Sequence, residues 1–104
     1  MEDRMYTYTT PTITCTLAGV DFESVDYVRI AIKGKNSMIV RVVLASDFDA
    51  ETGTTLIMLT QEETAALGEG QVAIQARVRY MDGTVHPSNK IIKAMSEVLD
   101  KVVI

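Results

Sequence analysis

The chain has 104 residues, one cysteine, 47% hydrophobic residues and a formal charge of −4. The hydrophobic content excludes a disordered chain, and the acidic balance argues against a nucleic-acid partner, whose phosphates call for clustered Lys and Arg. A lone cysteine excludes an internal disulfide, and the length suits one domain over residues 1–104 that can bury a core without metal.

The chain opens on Met1-Glu2-Asp3-Arg4 and passes to Thr and Tyr, so no apolar leader is expected. No stretch approaches the ~18 apolar residues of a membrane helix. Synthesis in the cytoplasm and no membrane partner are therefore expected.

Period-two alternation, the mark of half-buried strands, dominates the chain from Thr12 onward. Ile13, Cys15 and Leu17 fall on one face, with Thr12, Thr14 and Thr16 on the other. Val28, Ile30 and Ile32 alternate with Tyr27, Arg29, Ala31 and Lys33. Gly34-Lys35-Asn36-Ser37 reads as a turn. Met38, Val40, Val42 and Leu44 are expected to point inward, with Ile39 and Val43 on an outer face that is itself partly covered. Ser46 to Gly53 reads as an acidic loop, and Thr54 to Leu59 as a shorter strand.

Thr60-Gln61-Glu62-Glu63 matches a capping box, in which the threonine hydroxyl takes the amide at Glu63 and the glutamate reaches back. Gly68 stops the run, so one or two helical turns are expected to link two strands across the fold. Val72, Ile74, Ala76, Val78 and Tyr80 then alternate with Gln71, Ala73, Gln75, Arg77 and Arg79, the longest strand pattern in the chain. Asp82-Gly83 suits a type I′ hairpin turn. Beyond it two readings stand open. Residues 90–103 carry apolar residues at helical spacing, yet 91–95 fit a short last strand. Strands recurring every ~8–12 residues point to a sandwich.

No catalytic, cofactor-binding or metal-binding residue is assigned. His86 is the only histidine and stands beside Val85, Pro87 and Ser88, where an exposed edge strand accounts for it. Cys15 alternates with core positions and reads as a buried apolar residue. Asp47, Asp49 and Glu51 alternate before Gly53, which invites a cation. An EF-hand is excluded, because the glycine comes one position late and the twelfth position is Met58. No Gly-x-Ser-x-Gly elbow and no phosphate-cradling glycine loop is present. Arg29, Lys33, Arg77 and Arg79 are expected outward, where they can share one exposed face. An apolar tail, Val98, Leu99, Val102, Val103 and Ile104, is expected either to pack back on the domain or to dock on a neighbouring copy or partner.

Three stretches together carry a resemblance: Leu59-Thr60-Gln61-Glu62-Glu63-Thr64; Val72-Ala73-Ile74-Gln75-Ala76-Arg77-Val78 through Asp82-Gly83-Thr84; and Ser88-Asn89 with the closing Val98-Leu99-Asp100-Lys101-Val102-Val103-Ile104. From Thr10 to Ile104 the chain resembles a family of small proteins of Gram-positive phages and prophages, encoded among virion or tail genes. It is also similar to the N-terminal anchoring domain of phage baseplate upper proteins, an immunoglobulin-like β-sandwich. The resemblance implies a structural role and transfers no catalytic set.

The expectation is an all-β, immunoglobulin-like sandwich of about seven strands with one short helical turn. Its implied function is that of a non-enzymatic virion component of tail or baseplate. It would have no cofactor, other phage structural proteins as partners, and copies of itself as possible ones. The rival is a stand-alone recognition module for carbohydrate or a surface protein, for which Tyr6, Tyr8 and Phe48 are the candidate exposed aromatics.

Overall fold

The computed structural model describes residues 4–88 and 90–104. The polar start, Met1 to Asp3, and Asn89 of the Ser88-Asn89 pair lie outside them. Among the described residues the strands are β1 (Arg4–Tyr6), β2 (Thr12–Thr16), β3 (Val25–Lys33), β4 (Met38–Val43), β5 (Thr54–Met58), β6 (Gly70–Tyr80), β7 (Val85–Pro87) and β8 (Ile91–Ser96). The helix α1 covers Gln61–Leu67, and short 3₁₀ turns occupy Phe22–Ser24 and Ala45–Asp47.

The larger sheet runs β1-β8-β6-β3-β4, with β7 also on β6. The smaller sheet is β2-β5. β7 and β8 flank the same strand at successive stretches, β7 at Arg77 to Arg79 and β8 at Gly70 to Ile74. They act as one broken strand, so seven strand positions are filled. The chain changes sheet between β1 and β2, between β2 and β3, between β4 and β5 and again through α1, which is the connectivity of an immunoglobulin-like sandwich.

The core lies between the sheets. Ile13, Cys15, Leu17, Ile57 and Leu59 face it from the small sheet, and Val28, Ile30, Ile32, Val72, Ile74, Ala76 and Val78 from the large one. Strict alternation on β2, β3 and β6 places these residues. Leu67 of α1 and Met95 of β8 close the end of the core.

β4 reverses the expected phase. Ile39 pairs with Ile32, Arg41 with Ile30 and Val43 with Val28, and those partners are all core residues. Residues directly opposite share a face, so Ile39 and Val43 pack on the core while Met38, Val42 and Leu44 stand exposed. The physical reason is Arg41. On the inner face of this edge strand it meets Glu63 of α1 at 2.5 Å, so its charge is satisfied there.

The capping box at α1 forms as expected. Glu63 N–H donates to the Thr60 hydroxyl at 3.1 Å, and Thr60 N–H donates to the Glu63 carboxylate at 2.9 Å. Thr64, fully buried, donates its hydroxyl to the Thr9 carbonyl at 3.1 Å and ties the helix to the β1–β2 connection.

The hairpin after β6 is not type I′. Gly83 has φ +89°, but Asp82 has no positive φ. Gly83 N–H bonds the Tyr80 carbonyl and Tyr80 N–H bonds the Thr84 carbonyl, each at 2.9 Å. That is a type I turn closed by a left-handed glycine, a three-residue loop.

The C-terminal ambiguity resolves toward strand. Residues 91–96 pair antiparallel with β6 and parallel with β1. Sheet partners on both sides outweigh the helical spacing of the side chains. Beyond β8 the chain has no regular structure, bends at Leu99 and Asp100, and reaches Gln61, whose carboxamide donates to the Ile104 carbonyl at 2.7 Å and accepts its N–H at 2.9 Å.

Candidate interaction surfaces

The residues that carry reactive chemistry stand apart. Cys15 is buried on β2, and burial pushes its thiol up, away from the reactive thiolate. His86 is exposed on β7, a strand that pairs with β6 alone among the described residues, and its ring meets Tyr80 edge-on at 5.6 Å. The acidic loop spends its carboxylates on its own backbone. Asp47 accepts Leu44 N–H and Asp49 accepts Glu51 N–H, each at 2.9 Å. Among the described residues no group of three or more His, Cys, Asp or Glu is placed to hold a metal ion. No described helix is long and apolar enough to cross a membrane.

Of the three candidate aromatics, Phe48 is withdrawn from the surface, Tyr8 is half-buried and Tyr6 is exposed. Phe48 is buried against Phe22, ring centroids 5.0 Å apart. Tyr6 is exposed on β1, at the edge of the large sheet, paired with Ser96.

The basic residues do share a face. Cross-strand register puts Val42, Arg29, Arg77 and Pro87 in one row across the outer surface of the large sheet. A second row holds Met38, Lys33, Ala73 and Ile92. Arg79 is engaged by Asp26 at 3.2 Å and lies over the Tyr27 ring. Arg29 and Arg77 stand directly opposite each other, exposed, and among the described residues no carboxylate comes within salt-bridge distance of either. Like charges in that position oppose the pairing. Val42, 58% exposed, lies beside Arg29, and Met38 at 58% and Ile92 at 53% lie two residue pairs further along, in the row of Lys33. An acidic chain thus carries a local positive face edged by apolar side chains.

A second feature was invisible to sequence reasoning. The small sheet has only two strands among the described residues, so β2 has one open edge. The Leu17 N–H bonds the Gly53 carbonyl, and the Leu59 N–H bonds the Pro11 carbonyl. Those bonds fix the odd-numbered residues of β2 as the ones turned toward β5. Thr12, Thr14 and Thr16 therefore direct their backbone N–H and C=O groups outward. Beside this edge runs a groove of about 560 Å³, walled by Leu17 and Val20 and floored by Ile74, Ala76, Val78 and Ile91. Only pairing between distant segments reveals an unpaired edge; the alternation of β2 itself is the same with or without a neighbour.

No family model, curated protein or solved structure matches this chain.

Proposed function

We propose that the chain is a structural component of a phage or prophage virion, associated with the tail or baseplate, that works through protein–protein contacts. The resemblance to small Gram-positive phage proteins supports the virion setting. The outer face of the large sheet carries the contact reading. There Arg29 and Arg77, opposed to each other beside exposed Val42, with exposed Met38 and Ile92 further along the same face, are costly to leave bare and suited to an acidic, partly apolar partner surface. The mechanism is scaffolding: a packed sandwich presents this face at fixed geometry, and no group is required to react. Such a chain is made in the host cytoplasm and incorporated as the particle assembles. Particle symmetry would present the same face many times.

The recognition-module reading is less well supported, because Phe48 is packed against Phe22 and not offered to a ligand. The test is mass spectrometry of density-purified particles from a host that encodes the chain. The expected result is the chain present at a fixed ratio to tail proteins, and lost from particles when Arg29→Glu and Arg77→Glu are combined in a chain that still folds. Particles that assemble fully and infect without the chain overturn the reading.

A further inference from the structure

We propose that residues 98–104 of a second copy add as a strand to the open edge of β2 and fill the groove beside it. This inference does not depend on the virion reading, since it concerns how copies of the chain join each other.

The acceptor is incomplete in two ways at one place. Among the described residues, Thr12, Thr14 and Thr16 present unpaired backbone donors and acceptors, the pattern that an added strand satisfies. The groove, which meets this edge at Thr16, has an apolar floor at Ile74, Ala76, Val78 and Ile91. The other open edges lack this combination. β1 and β7 have three residues each, β4 carries Arg41, held by Glu63, on its inner side, and the free edge of β5 borders a groove lined mainly by Asp47, Asp49, Thr52, Thr54 and Thr55.

The donor is in the same chain. Val98, Val102, Val103 and Ile104 are β-branched and favour a strand. Leu99 and Ile104 are essentially fully exposed, and Val102 and Val103 are 57% and 46% exposed, so folding of one copy leaves these side chains in water. An extended segment of this length spans ~23 Å at ~3.3 Å per residue, which matches the β2 edge from Thr12 to the groove wall at Ala18.

Within one copy the held end of the donor lies away from the groove. Gln61 holds Ile104 at the start of α1, where Met58 pairs with Thr12, whereas the groove lies at the other end of β2, along Cys15 to Val20. The Gln61 bonds are exposed and exchange readily with water. Released from Gln61, the segment reaches a neighbour's edge. Because the donor and the edge are different surfaces, the contact is head-to-tail and builds rings or filaments.

The test uses the full chain and follows two readouts together, sedimentation mass and amide hydrogen exchange, across a concentration series. Val102→Asp with Ile104→Asp disables the donor at exposed positions. Met81→Asp with Leu44→Asp adds the same charge at exposed positions away from β2. The expected result is association of the native chain with the Thr12, Thr14 and Thr16 amides slowed at least ~10-fold as it associates. The donor variant should lose both effects, with an association constant weakened ~10-fold or more, while the charge control keeps both. The proposal is overturned by a native chain that stays monomeric. It is equally overturned by association that leaves those amides unprotected or survives the donor variant, or by protection of the same amides in the monomer, which would mean the chain fills its own edge.

Discussion

Ile74→Ala tests the central packing of the sandwich. Ile74 is 2% exposed, sits opposite Ile32 on one side and Ile91 on the other, and forms part of the groove floor. The substitution removes three buried carbons, about 2.4 kcal/mol at ~0.8 kcal/mol per methylene. A residual cavity adds to this. Here, however, one wall of the cavity borders the groove, where water enters and neighbours relax, so the total belongs in the lower half of the usual ~2–5 kcal/mol. A loss of about 2.5–3.5 kcal/mol is expected. The control is Gln75→Ala on the adjacent, outer position. Gln75 is half-buried and donates to the Ser88 carbonyl at 2.9 Å, a bond that water replaces, so its loss costs under ~1 kcal/mol. Urea titration should show a lowered midpoint at unchanged slope for Ile74→Ala and little change for Gln75→Ala. In thermal melts each kcal/mol corresponds to about 4–8 °C for a domain near this size, so the two variants separate by ~6 °C or more. Equal midpoints, or the larger loss at Gln75, would show that the faces of β6 are wrongly assigned.

The phase of β4 gives a second contrast: Val43→Asp should destabilise by more than ~2 kcal/mol and Val42→Asp by less than ~0.5 kcal/mol, read as urea midpoints, and the reverse order would restore the phase that hydrophobicity alone suggests. Glu63 predicts a pH dependence. The Arg41 hydrogen bond holds its carboxyl below the ordinary value of 4.5, with the Thr60 amide helping and partial burial opposing. A carboxylate depressed in the fold contributes stability above its unfolded value and loses it as the pH falls through the folded value. Glu63→Gln should therefore cost roughly 1 kcal/mol at pH 7, a difference that shrinks as melts are taken to about pH 3; a gap independent of pH would contradict the pairing. Gly53→Ala should cost more than ~2 kcal/mol, because φ is +70° and an added Cβ would collide with the Leu17 carbonyl. A melting temperature unchanged by that substitution would place the turn in a different conformation.

What the sequence makes legible is local. On β2, β3 and β6 one face is apolar and the other polar, so alternation alone assigns the core. On β4 it does not, because Met38, Val40, Val42 and Leu44 compete with Ile39 and Val43 for the inner face. Hydrophobicity favours the wrong set, and the decision comes from register with β3 and from Glu63 waiting on α1 for Arg41. The capping box at Thr60 reads correctly because all its atoms lie within one turn. The Asp82-Gly83 turn is placed correctly but mistyped, since dipeptide identity does not fix the φ of Asp82. β1 has three residues and no pattern of its own; it exists because β8 offers it an edge. Among the site features, the basic face follows from outward positions on two strands, whereas the open edge of β2 is a missing neighbour, which no local pattern records.

The parallel pairing of β1 with β8 has a mechanical consequence. Arg4, Met5 and Tyr6 lie beside Ala94, Met95 and Ser96, running in the same direction, and the Thr7 N–H extends the ladder to the Ser96 carbonyl at 2.9 Å. Tension applied through the segments flanking these two strands pulls them along their length in opposite directions. The ladder is then sheared: its hydrogen bonds share the force and must fail together, whereas strands pulled apart sideways would unzip one bond at a time. The sandwich should therefore resist stretching between its ends far better than its modest size suggests, with the yield point at this short ladder and not in the buried core.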